Sequence, residues 1–162
     1  MAEKVTAGQV FSNPINFLAF GFGAGLAPKA PGTFGTLVAV PLFWLAADLS
    51  LINYLILTLF ISLIGIYLCH ESAKSLGVHD HPGIVWDEIA GFFVTMIGFS
   101  FTWSNIIIGF VLFRIFDIVK PWPIKWIDKK VAGGFGIMLD DIIAGIFAWL
   151  GLFAIHYFWS GL

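Results

Sequence analysis

The chain alternates apolar stretches with polar, glycine- and proline-marked segments. Thr36 to Ala47 is a short apolar segment that ends at Asp48, and Leu49 to Cys69 is an uncharged run long enough to span a bilayer. Ile84 to Phe101 and Ser104 to Val119 predict two further helices joined by a tight Thr-Trp-Ser-Asn turn. Leu139 to the C-terminus predicts the last helix. Between these lie a polar start at residues 1–35, a polar loop at 70–83 and a Lys-, Pro- and Gly-rich loop at 120–138. The stretch GFGAGLAPKAPGTFG within the first segment carries Pro28, Pro31-Gly32 and Gly35, which argue against one continuous helix. It predicts a broken or re-entrant segment, a form of backbone tolerated at membrane depth only where protein or water covers it.

Composition turns this pattern into a membrane protein. Of 162 residues, 59% are hydrophobic and 11% charged, with 18 Phe and 7 Trp, and the mean hydropathy is +0.95. A soluble domain of this size leaves much of its surface in solvent, and too few polar residues exist to cover it. The fold class expected is therefore all-α: a polytopic helical bundle of about four to five membrane segments, forming one domain over residues 1–162. The net charge of −2 gives no electrostatic case for nucleic acid. Cys69 is the single cysteine, so no internal disulfide forms and compartment cannot be read from it. The apolar stretch Ile15 to Leu26 is interrupted by glycines and leads to no small-residue cleavage site, unlike a signal peptide. If every apolar segment crosses, residues 1–35, 70–83 and 120–138 share one side, and all seven lysines fall there. The positive-inside rule makes that side cytoplasmic.

Apart from Glu3 and Asp48, the acidic residues gather at the same side. Asp87-Glu88 opens the third helix, Asp140-Asp141 opens the fifth, and Asp117 lies near the end of the fourth. Carboxylates near lipid are costly and usually pair or bind ions. Hard oxygen donors in this number suit Mg²⁺ or Mn²⁺ rather than zinc. Helix capping is the plainer explanation for either pair, since acids favour the positive end of the helix dipole; two adjacent pairs exceed what capping needs. Both stretches read Asp-x-x-Ala-Gly, from Asp87 to Gly91 and from Asp141 to Gly145, and a glycine one turn below an aspartate lets helices approach closely. Arg114, Asp117 and Lys120 recur every third residue and line one stripe. They form either an ion pair beside a snorkelling lysine, or phosphate donors with an orienting carboxylate. In PKAPGTFGT, Lys29, the hydroxyls of Thr33 and Thr36 and the backbone N–H groups have the chemistry of an anion-binding loop. A plain Gly/Pro turn has the same pattern. His79-Asp80-His81 has the look of a metal tract, with Asp80 the better ligand and the histidines more often solvated. Trp122 and Trp126 suit the headgroup level.

Four stretches, GFGAGLAPKAPGTFGTL (21–37), GVHDHPGIVWDEIAG (77–91), FRIFDIVKPWPIKWID (113–128) and GGFGIMLDDIIAGI (133–146), resemble the bacterial phosphatidylglycerophosphatase A family. The resemblance implies hydrolysis of the terminal phosphate monoester of phosphatidylglycerophosphate, with Mg²⁺, by a helical protein of the bacterial inner membrane. It implies an acidic centre of Asp80, Asp87, Glu88, Asp117, Asp140 and Asp141. Of these, Asp87, Glu88, Asp117 and Asp141 are the candidate catalytic groups, and all but Asp117 are candidate metal ligands. Lys29, Thr33, Arg114 and Lys120 would hold phosphate, with Thr36 beside them. Partners would be the lipid substrate and membrane lipid; the oligomeric state is not readable. The rival reading is a cation carrier or channel, which predicts charges spread through the membrane depth. A cytidine-diphosphate-lipid phosphotransferase would need a dense Asp-x-x-Asp-Gly run with arginine, which is absent.

Overall fold

The computed structural model describes residues 5–78 and 81–159, and every regular element among them is helical. The N-terminal segment is broken, but ahead of Pro31: Gly32 and Gly35, expected to interrupt a helix, lie inside the one that starts at Pro31. Helices α1 (Ala7–Phe11) and α2 (Pro14–Ala19) are followed by a 3₁₀ turn at Ala24–Leu26, with Gly21 at φ 54° and Gly23 at φ 96° turning the chain between them. A capping box between Thr6 and Gln9 starts α1, and the Asn13 side chain with Pro14 starts α2.

Five further helices build the bundle: α3 (Pro31–Ala46), α4 (Leu51–Ser75), α5 (Trp86–Thr95), α6 (Trp103–Val119) and α8 (Gly133–Phe158), with the short α7 (Ile124–Lys130) before the last. Helices α4 and α8, with 25 and 26 residues, are long and apolar enough to cross a membrane. Many of the large apolar side chains of α4 point outward, among them Ile52, Ile56, Leu59, Phe60 and Leu63. An exposed apolar face of that extent needs a non-aqueous surrounding.

Three expected boundaries move. The run 84–101 yields only the ten residues of α5, about 15 Å of helix, because the chain turns at Gly98 with φ 78°. Every residue from Ile89 to Met96 is buried, so this apolar run is the centre of the bundle rather than a lipid-facing span. Helix α4 continues past Cys69 to Ser75, burying Ser72 and Ala73 inside what reads as a polar loop. Helix α8 begins at Gly133, six residues before Leu139, and α7 forms within the Lys-rich loop.

The core joins Phe43, Phe92, Phe93, Phe113 and Leu152 across α3, α5, α6 and α8. A second cluster of Val10, Phe20, Leu68, Cys69 and Met138 ties α1 and α2 to α4 and α8. Helices α5 and α8 cross at glycines. A Cβ on Gly91 would lie 2.8 Å from the Asp141 carbonyl oxygen, and one on Gly145 would strike the Gly91 carbonyl. The repeated Asp-x-x-Ala-Gly thus does the packing expected of it. Its consequence is to set Asp87-Glu88 beside Asp140-Asp141, one turn along.

Candidate active site

The starts of α3, α5 and α8 meet the end of α6 at one end of the bundle, around a cavity of about 370 Å³. Asp87 and Glu88 enter from the first turn of α5. Asp140 and Asp141 enter from two turns inside α8, where Arg114, Asp117 and Lys120 come from the end of α6. The α3 start contributes Ala30, Pro31 and Gly32, and α7 contributes Asp128.

Two sub-clusters divide the charged groups. In the first, one oxygen from each of Asp87, Glu88 and Asp141 lies within 4.8 Å of the others. Asp87 Oδ1, Glu88 Oε2 and Asp141 Oδ2 are buried with no protein hydrogen-bond partner. Three carboxylates in so small a volume stay ionised together only beside a compensating charge, since unpaired buried anions are among the most expensive groups a protein holds and otherwise take up a proton. The all-oxygen donor set matches a hard divalent cation, so these residues fit one.

Arg114 borders this cluster. Its Nη1 donates to Asp117 Oδ2 and stands 3.6 Å from Glu88 Oε1, while its buried Nε has no partner. The guanidinium lines the cavity and keeps one N–H that no protein atom accepts. Gly32 makes room: a Cβ there would lie 3.0 Å from Arg114 Nη1 and would clash with Glu88. Glycine at this position lets the start of α3 approach the pair.

The second sub-cluster centres on Lys120, whose Nζ donates to Asp128 Oδ1 and Asp140 Oδ2, each at 2.6 Å. Burial of the ammonium works against its charge, but the two carboxylates outweigh that and hold its pKa above the usual lysine value. Lys120 ends α6 in the left-handed region (φ 46°, ψ 60°) immediately before Pro121, so it leaves the stripe that Arg114 and Asp117 occupy.

The structure thus brings together Asp87, Glu88, Arg114, Asp117, Lys120, Asp140 and Asp141. Lys29 is exposed and, like Thr33 and Thr36, is not part of the cavity wall. Thr36 is fully buried and donates its hydroxyl to the Gly32 carbonyl at 2.9 Å. From that segment it is Ala30, Pro31 and Gly32 that reach the cavity. Asp80 and His79 lie outside the described residues; His81 lines the cavity, with Nδ1 accepting from the Gly83 N–H at 3.0 Å. Asp128 is the cavity residue that sequence reasoning missed. It stands eight positions beyond its partner Lys120 across two prolines, so no helical spacing links them. The cavity's charged groups sit at one end of the bundle, not through its depth.

Comparison with known proteins follows the same residues. The sequence profile of the family described as Phosphatidylglycerophosphatase A matches residues 17–156. The Phosphatidylglycerophosphatase A of Escherichia coli (strain K12) is 47% identical over 149 residues, covering 91% of this chain and 87% of that protein. That of Haemophilus influenzae is 46% identical over 147 residues, covering 90% of each. No solved structure matches the chain.

Proposed function

The chain belongs to the phosphatidylglycerophosphatase A family and is a phosphatase, and from that premise we propose that its acidic cavity hydrolyses the terminal phosphate monoester of phosphatidylglycerophosphate with Mg²⁺, at the cytoplasmic face of a bacterial inner membrane. One observation carries the reading. The unpartnered carboxylate oxygens of Asp87, Glu88 and Asp141 share a cavity with an Arg114 that still has a free donor.

In this reading Asp87, Glu88 and Asp141 hold the cation, with Asp140 beside them. A divalent cation held there would supply neutralising charge for the phosphate oxygens and a lowered pKa for bound water. Arg114 binds a phosphate oxygen with its remaining N–H donors, and Asp117 orients the guanidinium by accepting from Nη1. Glu88 lies between the two groups, one oxygen toward Arg114 and the other without a partner. From there a carboxylate takes the proton of the water that attacks phosphorus. The bond from phosphorus to the glycerol oxygen breaks, that oxygen takes up the proton the carboxylate has received, and phosphatidylglycerol and phosphate leave. The apolar outer faces of α4 and α8 keep the diacyl substrate and the site in one phase, in a multi-pass arrangement with this end toward the cytoplasm.

Phosphate release from phosphatidylglycerophosphate by the purified protein in detergent micelles tests the proposal. Activity should vanish with EDTA and return with Mg²⁺. Restoration by Zn²⁺ alone, or undiminished turnover after chelation, would overturn the carboxylate-site reading.

A further inference from the structure

Lys120 is not free to meet a phosphate. Its ammonium is held between two carboxylates at equal distances of 2.6 Å, and the two are unlike. The Asp140 side chain is 7% exposed and stands inside α8, so it is a fixed anchor, whereas the Asp128 side chain is 38% exposed and sits on the short surface helix α7. A lysine with two carboxylates carries a local net charge of −1, which repels an arriving phosphate dianion. The exposed partner is also the one that water can replace, because a solvent-facing ion pair is worth little.

We propose that Asp128 is a place-holder for the substrate's phosphate: it keeps Lys120 aimed across the cavity while the site is empty, and yields the ammonium to the phosphate monoester while Asp140 keeps its grip. Asp128 is then a positioning residue that acts through Lys120. Its partial exposure, on an element separate from both partners, lets it withdraw without moving Asp140. The left-handed backbone at Lys120 belongs to the same device: it takes the side chain off the α6 stripe, so the ammonium meets α7 and α8 rather than Asp117.

This inference rests on the cavity being a phosphate site, and the experiment separates the two. Inorganic phosphate, as competing product, is titrated against lipid hydrolysis by the parent protein and by Asp128→Asn, Asp128→Ala and Asp128→Glu. With the competing carboxylate gone, the Asn and Ala variants should bind phosphate more tightly, with inhibition constant and KM both falling roughly twofold to fivefold, the range an exposed ion pair spans. Asp128→Glu should keep the parent values. A purely structural Asp128 would move both constants upward, or leave them unchanged while kcat falls, and either result overturns the proposal. Because the Asp128 side chain is partly exposed, Asp128→Ala removes no buried packing, so a misfolded Asn variant leaves the Ala variant to decide. A parent that releases no phosphate from the lipid would instead sink the function proposed above.

Discussion

Asp140 and Asp141 are neighbours in sequence with different employments. Asp140 anchors Lys120, while Asp141 closes the three-carboxylate cluster with Asp87 and Glu88. Both stand two turns inside α8, beyond the reach of the helix start, so capping does not explain them. Asp87 and Glu88 do lie in the first turn of α5, where the helix dipole favours them whatever else they do. Substitution separates the two roles, because an amide satisfies a cap but does not supply the charge a divalent ion requires. Asp141→Asn and Asp87→Asn should each express and extract like the parent yet lose turnover more than about 100-fold, ~3 kcal/mol of transition-state stabilisation, as loss of other preorganised charges does. Near-parent rates of phosphate release from either variant would reduce the acids to architecture. Arg114→Lys should fail as well, since a point charge cannot both donate to Asp117 and offer a second planar donor to phosphate. The acids and the arginine were legible as a set because each is a charge in an apolar chain, where charge has few reasons to exist. Lys120 was legible as a member but not in its pairing, which depends on a left-handed residue that periodicity cannot foresee.

At the scale of elements, glycine explains both what the sequence discloses and what it hides. Helices α4 and α6 are plain from their apolar runs, and the structure adds Ser50 and Thr102 as the residues that cap their first turns. The start of α8 is not, because Gly133-Gly134-Phe135-Gly136 looks like a loop. Those glycines serve close packing instead: a Cβ on Gly134 would lie 2.7 Å from His70 Cβ, and one on Gly136 would strike the Val131 carbonyl. The α5–α8 crossing is the contact on which the cavity depends. Gly145→Val should lower stability by about 1–3 kcal/mol through overpacking, read as a lower thermal midpoint in detergent. It should lower activity by more than that loss accounts for, because the added side chain pushes α8 from the Gly91 carbonyl and carries Asp141 away from Asp87 and Glu88. Gly77→Ala, where no atom lies within 4 Å, should weaken the fold only through its φ of 67° and leave turnover per folded molecule unaltered. Equal activity losses in the two variants would show that the crossing does not set the site.

For the whole molecule, polarity is divided between the two ends of the bundle. Helix α6 runs from the exposed Trp103 to Lys120 at the cavity, a distance of about 26 Å for its length. Lys125, Lys129 and Lys130 follow on α7 at the cavity end, and Lys29 lies just before α3 begins there. The opposite end carries the turn from Asp48 to Ser50 and the turn before Trp103, with no lysine or arginine in either. In a bilayer this asymmetry orients the protein, because basic residues resist translocation and accumulate on the cytoplasmic side. The cavity and its phosphate chemistry would then face the cytoplasm. Single cysteines at the two ends, introduced into a Cys69→Ala background, measure this directly in intact cells. A membrane-impermeant thiol reagent added from outside should label Trp103→Cys, whose parent side chain is 70% exposed, and should leave Lys125→Cys unlabelled until the membrane is permeabilised. Labelling of Lys125→Cys in sealed cells would put the acidic cavity on the outer face, and equal labelling at both positions would mean that the bundle does not hold one orientation.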